Sequence, residues 1–354
     1  MIQPKKAVRR MRPYHPPIEG RRDKLRLDFN ENTVGCSPAV VKAIRALKAG
    51  DLATYPEYTL FRKKLAKKLG VKFDEVMATN ASDEAIKCVM DTYLEPGDEV
   101  VLPEPTFAMF RFYAEVAGAR IKRVLYNKKD LSFPTKKVLA SLTKKTKIAV
   151  LVNPNNPTGT PIKKKDIEEI IKKAKKNKTL VLLDEAYSQF SKANNLRFYK
   201  KYDNLVIIQT FSKAFGLGGM RIGVIVSRKE NIETLQKVNS PYSVNVASVA
   251  AAMAALDDGL YVKRYVGEVL KNKKDLEKVL DELGVKYYPS KGNFVLANFG
   301  RGSKTIESQL RKKGILVRDR SSDPLLKGCI RMTVGTDRQN RQLIDALKDI
   351  LKKK

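Results

Sequence analysis

The run Leu205-Val206-Ile207-Ile208-Gln209-Thr210-Phe211-Ser212-Lys213-Ala214-Phe215-Gly216-Leu217-Gly218-Gly219-Met220-Arg221 carries an apolar segment straight into a lysine. Its first four residues predict a strand buried on both faces. A serine precedes the lysine, small residues follow it, and an arginine stands eight places on. An isolated ammonium at the end of a core strand is costly to desolvate, so Lys213 needs a chemical reason. Covalent attachment to an aldehyde cofactor is one, because a lysine amine can form a Schiff base.

Working outward, strand-like and helix-like segments alternate over the first two thirds of the chain. Residues 76–79, 99–102, 147–152 and 180–183 predict strands; 83–94, 107–117 and 163–176 predict helices. This pattern is that of an α/β fold, a mostly parallel central sheet with helices on both faces. Ligands in such folds collect at the carboxyl ends of the strands, where Asp184 and Lys213 both fall. After Asn245 the pattern changes to helices at 245–256 and 261–283, a strand at 294–299, a helix at 304–313, a strand at 330–334 and a last helix from Asp337. The expected organisation is an N-terminal arm (1–30, rich in Pro and Arg), a large domain (31–245) and a smaller C-terminal α+β domain (246–354).

Composition narrows the chemistry. One histidine, His15, lies among prolines, and three cysteines are far apart without metal or redox spacing. A serine–histidine triad or a multi-histidine metal site would rest on that one residue, so no metal is expected, and catalysis must come from lysine, carboxylates, tyrosine or a cofactor. The basic N-terminus lacks an apolar core, and no apolar window reaches membrane-span length. A cytoplasmic protein with reduced thiols is expected. The 354 residues carry 70 Lys and Arg against 38 Asp and Glu, a formal charge of +32. A strongly basic protein can bind nucleic acid. Here the lysines spread over expected helix surfaces, without a nucleic-acid module or aromatic–basic stacking pattern, so solvated faces are the better reading.

Four stretches carry chemistry. Asp184-Glu185-Ala186-Tyr187 follows an apolar run; taken alone, its carboxylate could simply cap a turn. Asn153-Pro154-Asn155-Asn156-Pro157-Thr158-Gly159 follows another, with ordinary turn residues. Asn80-Ala81-Ser82-Asp83-Glu84 joins a strand to a helix, where Ser82 or Asp83 could cap and the helix N-terminus could take a phosphate. The Lys213 run adds Ser212 and Arg221 as anion donors.

In this order the four stretches resemble the fold-type I pyridoxal-phosphate-dependent aminotransferases over nearly the whole chain. The resemblance implies that Lys213 holds pyridoxal 5'-phosphate and later shuttles a proton. It implies that Asp184 pairs with the ring nitrogen, Asn156 and Tyr187 with the ring oxygen, and that Phe107 (in Pro105-Thr106-Phe107) stacks on the ring. Ala81, Ser82 and Asp83 at the helix start, with Ser212 and Arg221, would take the phosphate. Tyr55, in Tyr55-Pro56-Glu57, matches a tyrosine that reaches the phosphate from a neighbouring subunit, which implies a homodimer.

The chain ends narrow the resemblance. Arg12-Pro13-Tyr14-His15-Pro16-Pro17, Leu27-Asp28-Phe29-Asn30-Glu31-Asn32, Gly314-Ile315-Leu316-Val317-Arg318-Asp319 and Gly328-Cys329-Ile330-Arg331-Met332-Thr333-Val334-Gly335-Thr336 are similar to the histidinol-phosphate aminotransferases. That implies an amino donor and 2-oxoglutarate as substrates, with Tyr14, Arg318 and Arg331 on the donor, the arginines at its anionic end. For Arg318 the alternative is an ion pair with Asp319 or Asp323. Where Thr79 and Ala81 stand the family usually has glycine, Thr33 stands in place of a common proline, and Phe107 replaces a frequent tyrosine. Rival readings are an aromatic amino-acid aminotransferase, a decarboxylase of phosphorylated amino acids and, from another class, a basic nucleic-acid-binding protein.

Overall fold

A computed structural model of the chain describes residues 2–13, 17–191 and 194–352. Seven strands form the central sheet: β1 (Val76–Thr79), β2 (Glu99–Glu104), β3 (Arg120–Leu125), β4 (Thr146–Val152), β5 (Leu180–Asp184), β6 (Leu205–Thr210) and β7 (Gly223–Val226). Their spatial order is β1-β7-β6-β5-β4-β2-β3. All neighbours run parallel except β7, which is antiparallel to both β1 and β6.

The apolar runs fill this sheet because each strand is covered twice. In β5, Val181 and Leu183 join one core while Leu180 and Leu182 join the other. In β6, Leu205 and Ile207 face the first core and Val206 and Ile208 the second. Continuous apolar sequence is the expected signature of such a sheet, and each fully buried aliphatic contributes about 1.5–3 kcal/mol. Helix Lys164–Lys176 shows how the cover forms: Ile167, Ile170, Ile171 and Ala174 are buried at helical spacing and its lysines point out.

Two strands of this sheet have no counterpart in the sequence reading. β3 is the sheet edge, where only Val124 is buried, so its sequence Arg-Ile-Lys-Arg-Val-Leu lacks an apolar run. β7 is four residues long and directly follows the cofactor-type loop.

The C-terminal unit holds an antiparallel sheet of β8 (Lys286–Tyr288), β9 (Phe294–Asn298), β10 (Arg318–Asp319) and β11 (Cys329–Thr333), ordered β10-β11-β9-β8. Helices Gly259–Glu282, Ser303–Lys312 and Asp337–Lys352 share one core with it. Part of the N-terminal stretch is built into this unit: Leu25–Arg26 pairs in parallel with Ile315–Leu316, and Leu27 is fully buried in the same core. No helix among the described residues is long and apolar enough to cross a membrane.

Chain order reverses between β2 and β4: β2 to β3 steps outward, and β4 to β6 steps the other way. A crevice opens at the carboxyl ends of strands at such a switch point. The loop after β2 brings Phe107 there, and the loop after β4 brings Asn156.

Candidate active site

A cavity of about 220 Å³ lies at these strand ends. Ala81, Ser82, Asp83, Phe107, Asn156, Asp184, Tyr187, Ser212, Lys213 and Arg221 all line it, with Phe29, Glu31, Ala186, Thr210 and Gly218. Ten residues singled out from five separated stretches thus meet in one space.

One end is an anion cradle. β1 runs into Asn80 and then helix Ala81–Tyr93, whose first amides have no partner within the helix and whose dipole favours negative charge. Gly223 lets the next strand approach closely, since a Cβ there would stand 2.6 Å from the Ala81 carbonyl carbon and 2.7 Å from the Ser82 amide nitrogen. Arg221 Nη2 donates to Asp83 Oδ2 at 2.8 Å and Nη1 to the Gly218 carbonyl at 3.0 Å. Both bonds aim the guanidinium, so Asp83 acts here as its orienting carboxylate. Thr210 Oγ1 donates to Ser212 Oγ at 2.9 Å and holds that hydroxyl in place.

The middle pairs a buried acid with an amine. Asp184 is 4 % exposed, and its Oδ1 accepts the Ala186 amide at 2.8 Å. Burial pushes its carboxyl up to about 7, an effect reinforced by Asp83 and Glu185 and opposed by the Ala186 amide and Lys213. Lys213 Nζ donates to the Phe29 carbonyl at 2.9 Å and lies 5.9 Å from the Tyr187 ring centre. The Tyr187 hydroxyl accepts from Asn30 Nδ2 at 2.9 Å.

Behind Asn156, outside the cavity lining, stand two arginines of the C-terminal sheet. Arg318 and Arg331 are directly paired positions on β10 and β11. Cations facing each other across an antiparallel pair repel unless an anion sits between them. Arg331 is 5 % exposed; its Nη1 donates to Asn156 Oδ1 and its Nη2 to the Asp28 carbonyl. Arg318 lies 5.9 Å from the Phe29 ring. Of its expected alternative partners, Asp319 accepts from Ser321, and Asp323 pairs with Arg320 while also feeling the charges of Arg331 and Arg318.

Three expected residues do not line the cavity: Tyr55, Arg318 and Arg331. Tyr55 is 73 % exposed and lies against Tyr242, ring centres 4.5 Å apart. Tyr14 lies outside the described residues. Conversely, sequence reasoning assigned no role to Asn30, Phe29, Thr210 or Gly223. Asn30 is fully buried with φ +55° and joins Tyr187 to Thr333. The Asn30-Glu31-Asn32 triplet was its available signal; Gly223 had none beyond following Arg221.

The family model for class I and II aminotransferases matches residues 22–347. The histidinol-phosphate aminotransferase of Symbiobacterium thermophilum is 39% identical over 98% of this chain and 98% of its own. That of Moorella thermoacetica is 35% identical over 98% of this chain and 92% of its own. The structure of the histidinol-phosphate aminotransferase from Sinorhizobium meliloti, solved in complex with pyridoxal-5'-phosphate, is alike in fold. It has a TM-score of 0.91 over 100% of this chain and 98% of that one, at 24% identity. A lysine at the end of a core strand, a buried acid on the next strand and an anion cradle at a helix start now stand beside full-length likeness, and the chain belongs to the class I and II aminotransferase family, alongside the histidinol-phosphate aminotransferases.

Proposed function

We propose that this protein transfers the amino group of L-histidinol phosphate to 2-oxoglutarate with pyridoxal 5'-phosphate as cofactor, giving imidazole-acetol phosphate and L-glutamate in histidine biosynthesis. The observation that supports the reading is one cavity holding an anion cradle, an amine and a buried acid, with an arginine pair bonded to its wall through Asn156.

The residues fit the cofactor. Asp184 is a buried carboxylate whose pKa burial has raised, as expected of an acid that awaits a cation; a protonated ring nitrogen supplies one. The cradle of Ser82, Ser212, Arg221 and the helix N-terminus suits a phosphate dianion, at about 1.5–3 kcal/mol per charge-assisted bond. Lys213 is the one amine lining the cavity's middle. When bound, pyridoxal phosphate supplies the electron sink that makes the donor's Cα–H acidic.

The chain's own work is placement and proton transfer. With the cofactor bound, Lys213 Nζ would take the Cα proton as base and deliver it as acid to the cofactor's C4′, on the far side of the shared nitrogen. Asp184 would keep the ring nitrogen of the bound cofactor protonated by placing negative charge beside it. Phe107 would cover the cofactor's ring, and Asn156 and Tyr187 would offer polar atoms to its hydroxyl. Arg331 and Arg318 hold the donor's phosphate and, in the other half-reaction, a carboxylate of glutamate. A forked guanidinium suits either anion.

A homodimer in the cytoplasm completes the proposal. Tyr55 projects from its own subunit, with Tyr242, Leu52 and Leu60 also exposed. That supports a face covered by a second copy, from which Tyr55 reaches the partner's cradle. Steady-state kcat/KM for histidinol phosphate against phenylalanine, with 2-oxoglutarate as acceptor, tests the function. The proposal expects histidinol phosphate to win by a wide margin; preference for phenylalanine overturns it in favour of an aromatic aminotransferase.

A further inference from the structure

Helix Gly259–Glu282 buries a lysine that the mechanism does not use. Lys273 is 5 % exposed. Its ammonium donates to two backbone carbonyls, Ser290 at 2.7 Å and Gly292 at 3.0 Å, and no carboxylate of the described residues stands within ion-pair distance. Burial pushes its pKa down to about 8; Glu277 opposes that and Lys291 reinforces it. A methionine would fill the same volume without the desolvation penalty, so the ammonium needs a purpose other than stability.

The turn it grips leads to the substrate clamp by two routes. Across the seam between the two units, Lys291 N donates to the Gly159 carbonyl at 2.8 Å, and a Cβ at Gly159 would stand 2.3 Å from Ser290 Oγ. Gly159 N donates to the Asn155 carbonyl at 2.8 Å, and Asn155 is fixed through Thr106, Pro105 and Thr158. The next residue is Asn156, which accepts from Arg331. Within the C-terminal unit, a Cβ at Gly292 would stand 2.4 Å from the Phe294 ring, and the Arg331 guanidinium lies 5.6 Å from that ring's centre.

We propose that Lys273 is a positioning residue for the donor-anion clamp: by closing the Ser290–Gly292 turn against Gly159 it holds the Asn156 loop on Arg331. The inference rests on the aminotransferase reading above and adds a specificity residue outside the cavity. Its main action is on substrate affinity, because the contact it braces is the one from Asn156 to Arg331, the arginine assigned to the substrate's anion, while Lys213 and Asp184 are held by β5, β6 and the arm.

The test uses the holoenzyme with Lys273→Met, Lys273→Arg, Gly159→Ala and the Lys273→Met/Gly159→Ala double variant. Lys273→Met is expected to raise KM for histidinol phosphate and for glutamate about tenfold, with kcat within about threefold and cofactor absorbance retained. Lys273→Arg recovers most of the affinity. Gly159→Ala, acting from the other side of the same contact, gives the same split, and the double variant costs less than the product of the singles. Unchanged KM, a parallel loss of kcat and cofactor, or a multiplicative double variant overturns the inference. Should Lys273→Met not fold, Gly159→Ala decides alone, an unchanged KM again overturning it. Should the wild type act on another donor and not on histidinol phosphate, the functional reading fails, while the KM split measured with that donor still decides Lys273.

Discussion

The cofactor half and the substrate half of the site are built in opposite ways. The cofactor half hangs from five strand ends of one sheet: Ala81 after β1, Phe107 after β2, Asn156 after β4, Asp184 on β5 and Lys213 after β6. The substrate half is assembled across the chain, with Arg331 on β11 bonded to the Asp28 carbonyl, 303 residues away, and to Asn156, 175 residues away. Strand-end geometry is fixed by core packing, so the first half is rigid before any ligand arrives. The second half depends on how two units and an arm seat against each other. The first should therefore govern turnover and the second affinity.

The largest expected effect tests the first half. Lys213→Ala removes the covalent anchor and the proton carrier together. Proton transfer alone accounts for about 10²–10⁴-fold, so turnover should fall by at least that and the visible-edge absorbance of the bound cofactor should vanish. Normal turnover in that variant would refute the assignment of the cofactor half.

Asp184→Asn comes next. Losing a preorganised charge beside the reacting system should lower kcat by roughly 10²–10³-fold. The same variant has a second signature without cofactor. An unfolded aspartate titrates near 3.9, whereas burial holds Asp184 up to about 7. Between those values the folded, cofactor-free protein keeps the proton and the unfolded chain has lost it. The folded state then binds more protons, so this group's contribution falls as pH rises from about 4 to 7. The full loss is on the order of 4 kcal/mol. Urea melts of cofactor-free wild type and Asp184→Asn should diverge over that window, the asparagine form being the more stable at pH 7. Parallel curves would mean the carboxylate is not desolvated as the geometry requires.

Arg331→Ala addresses the second half. Two charge-assisted bonds and the shared anion are lost, which should raise KM for histidinol phosphate and glutamate alike by roughly 10–100-fold, with kcat much less affected. A drop in kcat at constant KM would erase the distinction between the two halves.

That distinction also explains what was legible in the sequence. Lys213, Asp184 and the Ser82 turn each follow a run such as Leu180–Leu183 that only a doubly covered strand would carry, so local sequence pointed at them. Arg318 and Arg331 were reached through resemblance, because nothing local marks two arginines as facing each other; their pairing is a property of register. β3 stayed hidden because an edge strand needs no apolar alternation, and Asn30 because its burial depends on Tyr187 and Thr333, far along the chain. Nothing local sets Lys273 apart from neighbouring lysines of its helix, Lys271, Lys274 and Lys278.

Ala81 is the smallest test and the one that probes rigidity directly. Its φ of +64° lies in the left-handed region, where a Cβ costs about 1–2 kcal/mol. The side chain is 1 % exposed, so its methyl contributes packing worth roughly 0.8 kcal/mol that glycine forfeits. The difference leaves Ala81→Gly stabilising by up to about 1 kcal/mol, a rise of about 1–2 °C in Tm for a chain of this size. Cofactor affinity should hold or rise, since the backbone at the cradle no longer resists its ligand-binding shape. A fall in Tm would show that Gly223 and the Ser82 turn are held by the Ala81 methyl, and that the cradle depends on packing where the strand-end argument assumes backbone geometry.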